Sequence, residues 1–274
     1  MTVQQIIDVV IRKTGLAPLP GNQTCDHLMT GSMDQEVHKI VTTFMATVDV
    51  IRKAIELGAD MIITHEPTWF TGHDTTEWLQ EDPVYLEKQR MISEAGIAIW
   101  RFHDHMHMAA EDGIYRGFDH KLGWKGYRLP DGPAEERFGA NYVIPQVTLA
   151  ELAKEFKQKL DMDVVQIVGD PNMTVRRVGV MVGGGALGLG VEERPMQVMR
   201  KKALDVAICG DIVEWTLSAY IRDAAALGMN KGMLVLGHER SEEMGMEFLG
   251  DWLKDVLGDM EIVFVDSKEP FKYL

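Results

Sequence analysis

Cysteine is nearly absent from this 274-residue chain, which holds only Cys25 and Cys209. Two distant cysteines exclude a disulfide framework and a cysteine-rich zinc site, and they fit a reducing, cytoplasmic setting. Long apolar runs are missing as well, none approaching the ~18 residues of a membrane span. Basic residues are outnumbered, 28 Lys and Arg against 42 Asp and Glu, for a formal net charge of -14. That balance disfavours nucleic acid and anionic membranes as partners, since both need clustered cations. The N-terminal stretch lacks the order of a signal peptide. Val3, Ile6, Ile7, Val10 and Ile11 recur at helical spacing, and Arg12 and Lys13 follow them. Residues 2–13 therefore read as an amphipathic helix that closes near Gly15.

What is present is 46% hydrophobic content, enough for one large or two medium domains. Apolar runs of strand length alternate with helical patterns. Strands are expected at 38–44, 61–64 and 97–100, with helices at 47–57 and 83–95 stopped by Gly58 and Gly96. Residues 123–140 are rich in Gly and Pro and suggest a boundary, with lobes at 1–128 and 129–274. Beyond it, strands are expected at 140–144, 164–168, 177–182, 206–209 and 233–236. Helices are expected at 149–160, 195–203, 214–227 and 242–257. Alternation of this kind argues for an α/β fold with largely parallel sheets.

Three strand-like runs end in the same chemistry. Ile97-Ala98-Ile99-Trp100 leads into Arg101-Phe102-His103-Asp104-His105-Met106-His107. Met61-Ile62-Ile63-Thr64 leads into His65-Glu66, and Met233-Leu234-Val235-Leu236-Gly237 into His238-Glu239. The stretches 47–66 and 216–239 also resemble each other, as a weak helix-turn-strand repeat that delivers a His-Glu pair each time. The carboxyl edge of an open α/β sheet is where ligands bind.

Imidazole is the commonest metal ligand near neutral pH. His103 and His107 share a face on a helix, and on a strand His105 would join them. His238 and Glu242 are also four apart, at the start of the last helix. Such a nitrogen and oxygen set suits zinc, iron, manganese or nickel better than calcium. Each residue also has an ordinary reading. A lone His after a strand is usually just polar, carboxylates favour a helix's first turn, and His105 can point to solvent. Together, however, the residues argue for a metal site. His73 and His120 read as loop residues, and His27 and His38 as structural or solvent-facing.

Over nearly its whole length the chain resembles the NIF3 family, also known as GTP cyclohydrolase 1 type 2 or dinuclear metal centre proteins. The resemblance is carried by Leu16-Ala17-Pro18, by Glu56-Leu57-Gly58-Ala59-Asp60-Met61-Ile62-Ile63-Thr64-His65-Glu66-Pro67 and by residues 96–107. Cys209-Gly210-Asp211 and Gly237-His238-Glu239-Arg240-Ser241-Glu242 extend it. It implies that His65, His103, His107, His238 and Glu242 are metal ligands, with two metals per chain. Two positions depart from the family pattern. Glu66 stands where a second histidine is usual, as a ligand or a proton-shuttling base, and His107 stands where an aspartate is usual. The resemblance also implies two interlinked α/β lobes with the metal site at strand carboxyl ends between them, and a ring-shaped homohexamer.

Other motifs carry less. Gly183-Gly184-Gly185-Ala186-Leu187-Gly188 fits G-x-G-x-x-G, but a dinucleotide site needs a helix at once, so a tight turn is expected. Asp211 and Glu214 read equally as partners that orient histidines or, for Asp211, as a plain N-cap. The 18 methionines read as core filler. The expected function is metal-dependent hydrolysis of a small molecule, a nucleotide such as GTP being implied by the family name. No obvious basic phosphate clamp is present. A non-catalytic metal-storage or scaffold protein is the alternative, and a pure interaction module ranks below both.

Overall fold

The computed structural model of the chain describes residues 1–130 and 138–274. The expected Gly/Pro boundary segment lies partly outside the described residues. The chain divides into two compact units, each discontinuous. The first comprises 1–117 and 243–268, and the second 118–242 and 269–274. A cut after residue 128 falls inside the second unit.

The first unit is built on a five-stranded sheet. Its order is β1 (Leu28–Thr30), β4 (Ala98–Arg101), β3 (Met61–Thr64), β2 (Lys39–Thr43) and β10 (Glu261–Phe264). All pairings are parallel except β1 with β4. The central strands are short apolar runs because both faces are covered: Met61, Ile62, Ile63, Ala98 and Ile99 are fully buried. Each large aliphatic side chain buried this way stabilises by about 1.5–3 kcal/mol. The register sets Thr43 beside Thr64 and Thr64 beside Arg101. The residues that follow these strands therefore emerge along one sheet edge.

Helix α1 (Val3–Thr14) bears out the N-terminal reading. Thr2 and Gln5 form a capping box, Gly15 closes the helix at φ 79°, and Val3, Ile6, Ile7, Val10 and Ile11 are its buried stripe. Helix α2 (Val48–Leu57) is capped by Thr47 and stopped by Gly58, and α3 (Pro83–Ala95) is capped by Asp82 and stopped by Gly96. The segment after β4 is helical rather than extended: α4 (Asp104–Met108) has His103 as its N-cap. It is followed by α5 (Gly113–Leu122). His120 lies on α5, exposed, and not in the loop expected of it.

The second unit has its own five-stranded sheet, ordered β5 (Ala140–Thr148), β7 (Thr174–Met181), β8 (Val206–Cys209), β9 (Gly232–Val235) and β6 (Gln166–Val168). Here only the central pairings are parallel, and both outer pairings are antiparallel. Met181 lies beside Cys209 and Cys209 beside Val235, so this sheet too aligns its strand ends. Helix α8 (Leu217–Ala226) starts three residues later than expected. Helix α9 (His238–Leu257) starts four earlier, which places both His238 and Glu242 in its opening turns. Among the described residues, no helix is long and apolar enough to cross a membrane.

Candidate metal centre

Sequence places His65 just after β3 and Phe102-His103 just after β4, on the aligned edge of the first sheet. His65 is fully buried. Its Nδ1 lies 3.2 Å from the Phe102 carbonyl oxygen. A carbonyl can only accept, so Nδ1 carries the hydrogen and Nε2 keeps the lone pair. His103 has its Nδ1 2.9 Å from Asp104 Oδ1, and His107 has its Nδ1 2.9 Å from Asp112 Oδ2. With a carboxylate on Nδ1, the neutral ring again presents Nε2 as the donor atom. The three rings pack together, His65 stacking on His103 at 4.6 Å between centroids, with His107 edge-on at 5.0 and 4.8 Å. One ligand atom from each lies within 4.8 Å of the other two. Three imidazoles oriented by acceptors behind them are a donor set that fits a transition metal.

Glu66 shares this side of His103, its Oε1 3.7 Å from His103 Nε2. Its Oε2 is held at 3.2 Å by the Arg101 guanidinium. Arg101 is buried and also donates to the carbonyls of His65 (3.2 Å) and Gly72 (2.7 Å) and to Asp74 (3.4 Å). Burial raises the Asp74 carboxyl, against the opposing pull of the Trp69 N–H and Arg101. Asp104 is held well below the usual carboxylate range, first by its hydrogen bond to His103. Burial pushes the neighbouring Cys25 thiol up to about 12, so as a free side chain it is protonated and inert.

His105 belongs to none of this. It is buried, not solvent-facing as one reading of the spacing allowed. Its Nδ1 lies 2.6 Å from Asp26 Oδ2, and its Nε2 accepts the Leu19 N–H at 3.1 Å. Both nitrogens are thus occupied, and the ring serves the fold. Asp26 also accepts the backbone N–H groups of His103, Asp104 and His105 at 2.7–3.0 Å, which fixes the start of α4. His27, His38 and His73 are exposed.

The second unit carries the other predicted ligands. His238 Nδ1 lies 2.8 Å from Asp211 Oδ2, and His238 Nε2 lies 3.1 Å from Glu242 Oε2. Of the two readings of Asp211, orientation of a histidine holds. Helix α8 begins six residues beyond Asp211, with Thr216 as its N-cap residue. Glu214 is exposed. The glycine run forms a 3-10 turn over Gly183–Leu187, and the next α-helix, α7 (Arg194–Lys201), starts only after it. The dinucleotide requirement fails and the tight turn holds. Gly183 has φ 51°, and a Cβ there would stand 2.1 Å from Glu242 Oε1 and 2.9 Å from His238 Nε2. Ser241 seats this turn, its Oγ accepting the Gly183 N–H at 2.9 Å and donating to the His238 carbonyl at 2.8 Å.

Sequence reasoning missed Asp26, Arg101 and Asp112 as partners. Asp112 had a local signal, an Asp-Gly before an apolar stripe. It caps α5 through Oδ1 while Oδ2 holds His107. Asp26 had none, because its partners lie 77 to 79 residues away.

The chain matches the family described as Duf34/NIF3 (NGG1p interacting factor 3) over residues 1–270. A Clostridium perfringens protein named GTP cyclohydrolase 1 type 2 homolog is 24% identical, with all of both chains covered. One of the same name from Clostridium acetobutylicum is 25% identical over 94% of each. Among solved structures, a Staphylococcus aureus protein is similar with a TM-score of 0.76 at 19% identity, covering 100% of this chain and 99% of its own. A Bacillus cereus protein related to NIF3 gives 0.73 at 16% identity, with the same coverage. At such identities the structural likeness speaks for the fold.

Proposed function

This chain belongs to the Duf34/NIF3 family, and on that premise we propose that it is a metal-dependent hydrolase. His65, His103 and His107 in the first unit, and His238 and Glu242 in the second, hold about two divalent transition metals per chain, of zinc, iron, manganese or nickel type. The observation that supports this reading most is the treatment of the histidines. Four of them have Nδ1 against an oxygen acceptor, so that Nε2 is the donor. His105, with both nitrogens occupied, shows what a purely structural histidine looks like in the same segment.

Bound metal supplies activation of water at neutral pH. Glu66 Oε1 takes the proton that water loses, while Arg101 holds the other carboxylate oxygen and so keeps the side chain from turning away. The substrate is a small molecule. The relatives' printed name favours nucleotides, GTP first. Self-assembly into a homo-oligomer, a hexamer in the family pattern, belongs to the same proposal.

The test is metal per chain in untagged protein before and after mild chelation, followed by nucleotide hydrolysis. About two equivalents, cut strongly by His238→Ala and Glu242→Ala and unchanged by His73→Ala, are expected. Glu66→Gln should keep metal while losing roughly 100-fold or more in turnover. Negligible metal, with no uptake of zinc, iron(II), manganese or nickel, overturns the proposal. Metal without any hydrolysis, and no effect of Glu66→Gln on binding, leaves a storage or scaffold protein.

A further inference from the structure

His103 has two nitrogens, and donor groups stand on both sides of it. Nε2 belongs with Glu66 and the histidine triad. Nδ1 meets Asp104 Oδ1 at 2.9 Å. Asp104 Oδ2 in turn accepts the Cys25 N–H at 2.8 Å, which sets Cys25 beside the same carboxylate. One ligand atom each from Cys25, His103 and Asp104 lies within 4.8 Å of the others, and all three residues are partly exposed. This is a thiol, an imidazole and a carboxylate brought together, three donors of different type within reach of one ion. Such a set suits a soft or borderline divalent metal and is poor for magnesium or calcium.

We propose that Cys25, His103 and Asp104 form a second, thiolate-bearing metal site, exclusive with the service of His103 in the histidine triad. The exclusivity follows from the ring. A neutral imidazole has one lone pair, so His103 donates through Nε2 to the triad or through Nδ1 to the thiolate site. Binding at the second site releases the Cys25 thiol proton to solvent, and the ring proton moves from Nδ1 to Nε2 by way of water. Cys25 is not activated as a nucleophile in this arrangement; it acts as a ligand. The site therefore gives a soft metal an alternative seat that withdraws a ligand from the proposed hydrolytic centre. Asp104, which orients His103 for one task, becomes a ligand in the other.

The test is a cobalt(II) titration of the metal-free full chain, read in the near ultraviolet. There a thiolate-to-cobalt charge-transfer band reports sulfur ligation, and histidine and carboxylate ligands give none. The band is expected in the unaltered protein, lost in Cys25→Ser, and reached at lower cobalt in His65→Ala, where the competing triad is broken. Cys209 stays in place throughout, so a band that survives Cys25→Ser overturns the proposal. Absence of the band when cobalt has filled the chain overturns it too. Circular dichroism of each variant verifies the fold. The hydrolase reading fails separately: cobalt would then bind with the charge-transfer band alone, and His238→Ala would change nothing.

Discussion

Asp211→Ala should separate metal affinity from fold stability. Asp211 Oδ2 accepts from His238 Nδ1 at 2.8 Å, and its side chain is 46% exposed. A pair that wet adds about 1 kcal/mol or less to folding. In the metal-free protein, water replaces the lost acceptor, and Tm should fall by roughly 2–4 °C at most for a chain of this size. The metal responds differently. Without an acceptor on Nδ1, the ring loses its fixed tautomer and orientation, and part of its basicity at Nε2. Removing such a partner typically weakens metal binding 10–100-fold, about 1.4–2.8 kcal/mol. Asp211→Asn keeps an oxygen that accepts the Nδ1–H, so it should recover most of the affinity although the charge is gone. The assay is zinc competition against a chromophoric chelator, with thermal unfolding of the same metal-free samples. Unchanged zinc affinity in Asp211→Ala would refute the role given to Asp211. A large fall in metal-free Tm would refute the separation and make Asp211 a structural residue.

Three further outcomes are expected. Gly183→Ala should lose metal at His238 and Glu242, because its Cβ would stand 2.1 Å from Glu242 Oε1; Gly190→Ala, at φ 89° with nothing within 4 Å, controls for backbone strain and should keep it. His105→Ala should lower the unfolding free energy by roughly 1–3 kcal/mol in denaturant melts, since it leaves the Leu19 N–H without its acceptor and takes the imidazole from buried Asp26, which keeps its three backbone donors. Burial pushes the Lys88 ammonium down to about 8 from 10.5. Between those values the unfolded chain binds the extra proton, so Lys88 adds stability as pH rises through this window, on the order of 3 kcal/mol by its top. Lys88→Met should lack that slope, and a difference curve flat in both proteins would disprove the assignment.

Much of this was legible in the sequence, and for local reasons. Short apolar runs ending in His-Glu announced β3 and β9, since strands covered on both faces have few alternatives. Apolar periodicity with Gly15, Gly58 and Gly96 as stops set the first three helices at 2–13, 47–57 and 83–95, against Val3–Thr14, Val48–Leu57 and Pro83–Ala95 in the structure. The rest depended on distance along the chain. Spacing alone left His103, His105 and His107 open to a helical or an extended reading. Asp26, brought in from 77 residues away, settles the matter by capping α4 and removing His105. Arg101 read as the end of a strand and turned out to gather Glu66, Asp74 and two carbonyls. The outer strands β5 and β6 were read as strands, but their antiparallel direction was not, because alternation of apolar runs carries no sign of which way an edge strand pairs. Interlinked lobes were expected, but not where the chain crosses between them, with residues 243–268 returning to the first unit.

That return has a consequence for synthesis. Strand β10 supplies the hydrogen-bonding neighbour of β2, yet it is made long after it. At about 5–20 residues per second, the ribosome needs on the order of 10 to 40 s to travel from Thr43 to Glu261. Throughout that interval β2 presents an open flank of unpaired amides to the crowded cell, the kind of edge on which nascent chains mispair. The first unit is thus begun before the second yet completed only after the second unit's sheet has been made, and the open flank of β2 belongs to synthesis, not to the finished protein.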